Sequence, residues 1–490
     1  ISLATGELEI IAEGHDFYSN PQLSPDGNQL LFLTWDHPNM PWDGTQLILA
    51  ELNEEGSIDK MQDIAGGKYE SIFQPLWDPN GSIYFVSDRN GWWNIYHYSE
   101  AHITCVLEKE AEFGLPQWVF GMSNYTVLNS GDLVATYSDM TGSHLIRIDV
   151  DSGSSEEIKT SFSTIDQVRG SKNNIAFIGH TDSQPGEVVA MNLAAKTSQT
   201  LQRAAETDIR ATYISSAQHI SFETAPDELT HAWYYPPKNP DYAAPAGNLP
   251  PLIVLSHGGP TGNSSGAFSL AIQYWTTRGF AILDVNYSGS TGYGRKYRER
   301  LKGKWGIRDV QDCAAAANYL ADEGLADRER FIIKGGSAGG YTTLAALTFM
   351  DVFKAGASYY GVGDLTLLAQ DTHKFESRYL DSMVGPYPED KQLYIDRSPL
   401  NFADQLDCPV IFMQGLDDPV VPPNQAESMV AALKRNGIPV AYLPFEGESH
   451  GFRQSTTVIK AIESEYYFYT QIFGIEPAES VEAIEIFNLD

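Results

Sequence analysis

A phrase recurs along the first half of the chain and limits what that half can become. From Asn20 the chain reads NPQLSPDGNQLLFLTW, and from Gln74 it reads QPLWDPNGSIYFVSDR. Each copy sets a proline before a short strand, then Pro-Asp-Gly or Pro-Asn-Gly at a turn, then a second strand. Weaker echoes begin at Pro116 and near Gly170, and a further strand follows each copy: TQLILAEL, NIYHYS, HLIRIDV and EVVAMNL. Units that recur roughly every 40 to 55 residues, with several strands apiece, read as blades of a β-propeller. The competing arrangement is a β-sandwich whose turns repeat by coincidence. About four units fit before the pattern stops. Propellers usually close with more blades, and Ile1 falls inside a unit, so on the order of three further blades are expected ahead of it.

The second half follows a different pattern. With the blades assigned to residues 1–225, residues 226–490 read as an α/β-hydrolase domain, entered through the proline-rich connector YYPPKNPDYAAPAGNLPP. From Leu249 onward, the apolar runs PLIVLSHGG, FAILDVNY, RFIIKGG, KAGASYYGV, PVIFMQG and VAYLPFEG alternate with helical stretches over 309–324, after Ser337, and over 424–437. Continuous apolar strands separated by helices imply a mostly parallel sheet covered on both faces.

Within that half, Gly335-Gly336-Ser337-Ala338-Gly339 lies between a strand and a helix and fits G-x-S-x-G, the turn that lifts a serine above a sheet edge. The competing reading is a plain or phosphate-binding glycine turn, but the Gly-Lys-Ser/Thr ending of a Walker loop is absent. A serine hydroxyl needs a base, and the base needs an orienting acid. Downstream, the strand PVIFMQG leads into LDDPVVPPNQ, which offers Asp417 and Asp418, and VAYLPFEG leads into ESHGF, which offers His450. Ser, Asp, His is the order expected on a hydrolase sheet. His257 precedes the serine, and His231 and His373 lack a strand-end context. For the oxyanion the chain offers the backbone N–H of Ala338 and, in the HGGP turn after PLIVLS, that of Gly259.

Composition narrows the partners. A formal net charge of −32 repels phosphate backbones, which argues against nucleic acid. No apolar run reaches membrane-spanning length, which argues against a membrane partner. Cys105, Cys313 and Cys408 lie far apart, forming neither a metal-type pair nor a disulfide framework, and point to a reducing compartment. The serine chemistry calls for no metal and no cofactor.

The motifs SHGGPTG, YSGSTGYGRKYRE, GGSAGGY, QGLDDPVVPPNQ and ESHGF resemble those of the prolyl oligopeptidase family, in particular its acylaminoacyl-peptidase and dipeptidyl-peptidase-like branch, over about residues 250–473. That family joins a β-propeller to an α/β-hydrolase domain. The resemblance implies a cytoplasmic serine peptidase that cleaves short peptides while its propeller screens substrates by size. It implies Ser337 as nucleophile, His450 as base and Asp418 as orienting acid, because the spacing G-x-x-D-x-x-V matches Gly415, Asp418 and Val421. Some relatives carry an arginine two residues after this acid, where this chain has Val420. Tyr360 is a candidate for the primary specificity pocket, or a core residue. Glu376 is a candidate for reading a free substrate amine, or an exposed helix carboxylate. The alternatives to a peptidase are a carboxylesterase and a propeller-based interaction protein. Oligomeric state, and the choice between exopeptidase and endopeptidase action, stay open at this level.

Overall fold

The computed structural model describes residues 5–489. The opening Ile1-Ser2-Leu3-Ala4, where the sequence breaks into its first repeat, lies outside them. The chain divides into two compact units.

The first unit comprises Ile1–His180, Gly186–Ala205 and Gly292–Lys296. Four antiparallel sheets of four strands span residues 17–66, 72–105, 125–158 and 164–203, each with its strands in sequence order. These are the blades expected from the repeats. The turn glycines Gly27, Gly81 and Gly131 take φ of 78°, 89° and 92°, a region that side chains disfavour, which explains why the turn phrase recurs. The repeated prolines do not precede the strands, as the sequence suggested, but lie within the first strand of a blade. Pairing slips between Ser19 and Gln22 and again between Phe73 and Leu76, so Pro21 and Pro75 both fall in bulges, where a missing N–H costs no ladder bond. Asn20, Gln74 and Gln167 hold positive φ at the corresponding bulges. The buried Gln74 side chain donates to Ser123 Oγ (2.8 Å) and to the Tyr125 carbonyl (2.7 Å), tying the second sheet to the third. Leu31, Leu33, Leu47, Ile72 and Phe85 share one apolar cluster, and Val134, Leu145, Ile165 and Phe177 share another.

The pentapeptide Gly292–Lys296 joins this unit from far along the chain. Arg295 pairs with the fully buried Asp88 carboxylate (2.8 Å) and donates to the Asp43 carbonyl (2.9 Å), while the Gly294 amide donates to Glu112 (3.0 Å). A buried acid of this kind needs its cation nearby, which gives the Gly-Tyr-Gly-Arg stretch a structural role.

The second unit comprises Thr181–Pro185, Glu206–Thr291 and Tyr297–Asp490. Its strands are β1 (Gln218–Ala225), β2 (Glu228–Tyr235), β3 (Leu252–Ser256), β4 (Ala281–Asn286), β5 (Phe331–Gly336), β6 (Ala355–Tyr359), β7 (Val410–Gly415) and β8 (Val440–Phe445). They form one sheet in the order β1-β2-β4-β3-β5-β6-β7-β8. The β1–β2 and β2–β4 pairs are antiparallel, and the remainder are parallel. This is an α/β-hydrolase sheet. The helices that position the site are α1 (Leu270–Thr276), α2 (Arg308–Asp322), α3 (Ala338–Phe349), α4 (Asn424–Arg435) and α5 (Ser455–Phe473). A core of Ile253, Ile282, Ile332, Ile411 and Met413 packs with Trp275, Tyr466 and Phe468.

The boundary expected at residues 225 and 226 is displaced. It falls inside the β1–β2 hairpin, whose turn carries Asp227 at φ 60°, and β2 goes on to pair with β4 from His231↔Asn286 to Tyr235↔Ile282. The two strands alternate as blade strands do, so local pattern alone assigned β1 to the wrong unit; its partner strand decides. Thr181–Pro185 likewise belongs to the second unit, with the Phe268 amide donating to the Thr181 carbonyl (2.8 Å).

Candidate active site

Parallel register sets the site. Ser256 lies opposite Gly335, Gly336 opposite Tyr359, and Gly415 opposite Phe445, so the C-terminal ends of β3, β5, β6, β7 and β8 run out side by side. The residues that leave those ends are His257, Ser337, Tyr360 and the loops bearing Asp418 and His450. In an open α/β sheet this edge is where side chains from separate strands converge.

Ser337 turns between β5 and α3 with φ 57° and ψ −121°. A non-glycine residue in that region costs on the order of 1–3 kcal/mol and persists only when its surroundings enforce it. Here they do. The Ser337 amide donates to the Tyr359 carbonyl (3.0 Å), and its carbonyl accepts from the Tyr341 amide (3.1 Å). The flanking glycines serve close packing: a Cβ on Gly339 would lie 2.0 Å from the Ser256 carbonyl oxygen, and one on Gly335 would lie 2.5 Å from Ser256 Oγ. The α3 helix is buried along nearly its whole length, which fixes its N-terminus beneath the serine. Ala338 is its first residue, so its amide has no intrahelical acceptor.

Of the two aspartates after β7, the structure sets Asp418 against the histidine. Its side chain is fully buried: Oδ2 lies 2.8 Å from His450 Nδ1, and Oδ1 accepts from the amides of Val420 (2.8 Å) and Val421 (2.9 Å). A carboxylate only accepts, so Nδ1 carries the proton and Nε2 is left with its lone pair. Asp417 is exposed. The His450 loop is held by Glu448, which accepts from the amides of Arg453 (2.8 Å) and Gln454 (2.9 Å). Tyr360, at φ 39°, sets its ring edge-on to the imidazole at 4.9 Å and packs on Phe452.

Two cavities meet at Ser337. The smaller, about 30 Å³, is lined by Gly259, Ser337, Ala338, Glu376 and Val420, with Leu368 among its apolar walls. It brings together five residues singled out in the sequence. The larger, about 630 Å³, is lined by Ser337, Tyr360 and His450, and extends past Asp284 and Lys334 to α5. Tyr360 therefore lies against the His450 ring and outside the smaller cavity. Glu376 is not on a helix; it sits half-buried in the turn after Leu365–Gln370. Periodicity could not reveal this, because the cavity Glu376 lines draws together residues far apart in the sequence, Gly259, Ser337 and Val420 among them.

His257 holds the glycine turn. Its Nε2 lies 2.7 Å from Ser290 Oγ, its ring stacks on Tyr287 at 4.2 Å, and burial pushes its pKa down to about 4, so the ring stays neutral. His231 is paired with Ser221 (2.8 Å) and is pushed down to about 4 by burial.

Beneath the elbow lies a buried polar network that the sequence reading missed. Lys334, three residues before Ser337, pairs with Glu465 (2.5 Å), which also accepts from Tyr359 (2.5 Å) and Tyr469 (2.9 Å). Lys334 Nζ lies over the Trp275 and Tyr359 rings. The network fixes Tyr359, whose carbonyl receives the Ser337 amide. A lysine inside an otherwise apolar strand was the available signal.

Nearby, Asp284 accepts from Ser264 Oγ (2.7 Å), and burial raises its pKa to about 6. The folded chain thus holds a proton that the unfolded chain releases between roughly pH 4 and 6. Above that window the ionised carboxylate costs stability, and below it the cost vanishes. Asp284→Asn, which keeps the acceptor for Ser264, is expected to stabilise the protein at pH 7.5 by on the order of 2 kcal/mol and to have no effect near pH 3.5. Thermal melts at the two pH values check the sign.

Among the described residues, no group of histidine, cysteine and acidic side chains is arranged to hold a metal ion. Nor is any helix among them long and apolar enough to cross a membrane.

Comparison with known proteins agrees with this fold. Residues 266–476 match the prolyl oligopeptidase family. A crystal structure of puromycin hydrolase is 40% identical, with 96% of this chain and 72% of that one covered at a TM-score of 0.93. A puromycin-hydrolyzing peptidase of Mycobacterium tuberculosis is 41% identical, with 99% and 74% covered at a TM-score of 0.96. Dipeptidyl peptidase family member 6 of Caenorhabditis elegans is 37% identical over 210 residues, which span 41% of this chain and 28% of the worm protein. The identity to puromycin hydrolase runs across both the bladed unit and the hydrolase sheet, and the chain belongs to the prolyl oligopeptidase family.

Proposed function

We propose that the chain is a serine peptidase in which Ser337 is the nucleophile, His450 the base and Asp418 the acid that orients it. The observation that carries this reading is the buried Asp418–His450 pair at the same strand-end edge as a serine held at positive φ. His450 Nε2 takes the hydroxyl proton as Ser337 Oγ bonds to the substrate carbonyl carbon. The amides of Gly259 and Ala338 receive the developing oxyanion. The C–N bond then breaks, and the amine leaves with the proton from His450. Water repeats the sequence on the acyl-enzyme: its oxygen ends on the acid product, and its proton returns through His450 to Ser337.

Labelling with a fluorophosphonate tests the nucleophile directly. One equivalent on Ser337, lost in the Ser337→Ala variant, is the expected outcome; labelling elsewhere overturns the assignment. Hydrolysis of chromogenic peptides measured against simple p-nitrophenyl esters separates a peptidase from a carboxylesterase.

The substrates we propose are short peptides, with the blades acting as a size filter, as in the oligopeptidases this chain resembles. The three unpaired cysteines accord with a reducing, cytoplasmic setting. A peptide of a few to some tens of residues should be cleaved, while the same segment inside a stable folded protein should survive, because unfolding it locally adds its free-energy cost to the reaction. Comparing the two forms in one assay checks the filter, and equal rates would remove it.

A further inference from the structure

The two cavities that meet at Ser337 suit different halves of a substrate. The smaller is bordered by Gly259 and Ala338 but not by His450, and the larger by His450 but by neither of the others. The oxyanion belongs to the acyl half, whereas the histidine returns its proton to the departing amine. The larger cavity is therefore on the leaving-group side.

Its floor is a row of three side chains. Asp284 on β4 and Lys334 on β5 both lie opposite Leu255 of β3, and all three line the cavity. Lys334 comes three residues before Ser337, so the row lies about 10 Å from the serine along the strand. A further cavity of about 350 Å³ adjoins at the same row and continues to Phe268 and Trp275. The walls between serine and row are mostly apolar, with Tyr359, Phe452, Val458 and Ile462 among them.

The two charged members of the row are not equivalent. Lys334 is already paired with Glu465 (2.5 Å), whose side chain is fully buried. Asp284 accepts from Ser264 Oγ, and no basic side chain among the described residues pairs with it. Burial penalises its charge, only the Ser264 hydroxyl offsets that cost, and yet the carboxyl borders both cavities. A cation carried by the substrate would complete this half-made pair. A lysine or arginine on the first residue of the leaving group has the right shape: its apolar stem passes the ring-lined walls and its charged head reaches the row. The α-nitrogen of that residue cannot serve, because it belongs to the bond being cleaved. A carboxylate there would meet Asp284 as a like charge.

We propose that Asp284 binds the basic side chain of the first residue on the leaving side of the cleaved bond, so that the enzyme favours cleavage before lysine or arginine. The inference rests on Ser337 as nucleophile and His450 as base. Asp284 touches substrate in this scheme and takes no part in proton transfer.

The test uses the full chain. Mass spectrometry first locates the bond cut in Gly-Ala-Phe-Ala-Ala-Gly, and the residue after that bond is then replaced by lysine, norleucine or glutamate. Norleucine keeps the stem of lysine without its ammonium. The wild type is expected to cleave the lysine peptide about 10- to 100-fold better than the norleucine peptide in kcat/KM, as one charge-assisted hydrogen bond implies. Asp284→Asn is expected to bring that ratio to within about threefold of unity, and Asp284→Glu to keep part of it. Melting temperatures and fluorophosphonate labelling of Ser337, measured on every variant, separate lost selectivity from lost fold. A wild type that does not distinguish lysine from norleucine overturns the inference. So does a lysine preference that survives Asp284→Asn, which would belong to the acidic surface as a whole. A faster glutamate peptide assigns recognition to Lys334 and overturns it too. If Ser337 labels but no peptide bond is cut, the inference fails while the hydrolase reading stands. If Ser337 does not label, the reading beneath it fails first.

Discussion

Replacing Ser337 or His450 by alanine is expected to lower turnover by roughly four to six orders of magnitude, without loss of fold. The two aspartates beside them should separate sharply. Asp418→Asn keeps the shape of a fully buried side chain that accepts from two loop amides and faces His450 Nδ1 at 2.8 Å. An amide presented to Nδ1 can donate, which favours the imidazole tautomer that has its proton on Nε2, where the base must be free. A loss of about four orders of magnitude follows. Asp417→Asn should change turnover by no more than a few fold, because its side chain is exposed and only its backbone amide, donating to the Glu448 carbonyl (2.9 Å), holds the loop. Steady-state kinetics on one chromogenic peptide compares the four variants. If Asp417 proved the critical acid, the register of the loop after β7 would be wrong.

Gly339→Ala carries the largest expected cost in stability. The added methyl would lie 2.0 Å from the Ser256 carbonyl oxygen and 2.9 Å from that of His257, both backbone atoms at the end of β3. Neither can swing aside as a side chain would. Relief requires moving α3 away from β3, which separates Ser337 from the glycine turn. The expected loss is about 4 kcal/mol or more, enough to abolish soluble expression or to shift the melt by many degrees. Gly437→Ala provides the contrast. Gly437 has φ 74° and open space around its Cβ position, so only the left-handed backbone penalty of about 1 kcal/mol applies. Melting curves for the pair distinguish a packing requirement from a turn requirement.

Much of this protein was legible from local pattern. Period-two strands with Pro-Asp-Gly turns specified the blades, and continuous apolar strands alternating with helices specified a covered parallel sheet. Strand, glycine turn and helix in succession located Ser337, while chain order located the acid loop and His450. These features are readable because they depend on neighbours a few residues apart. Other features depend on residues tens to hundreds of positions away. Sheet pairing, not strand pattern, moved Gln218–Ala225 into the hydrolase unit. The Asp88 carboxylate and the Asp43 carbonyl gave Arg295 its place in the bladed unit. Asp418 and Asp417 have the same chemistry and adjacent positions, and burial against His450 distinguishes them. Glu376 resembles any surface acid in the sequence, and Lys334 any stray charge in a strand. One becomes a cavity wall and the other half of a buried pair, because a carboxylate or an ammonium takes its chemical character from the solvent it loses and the partners it finds, and packing supplies both.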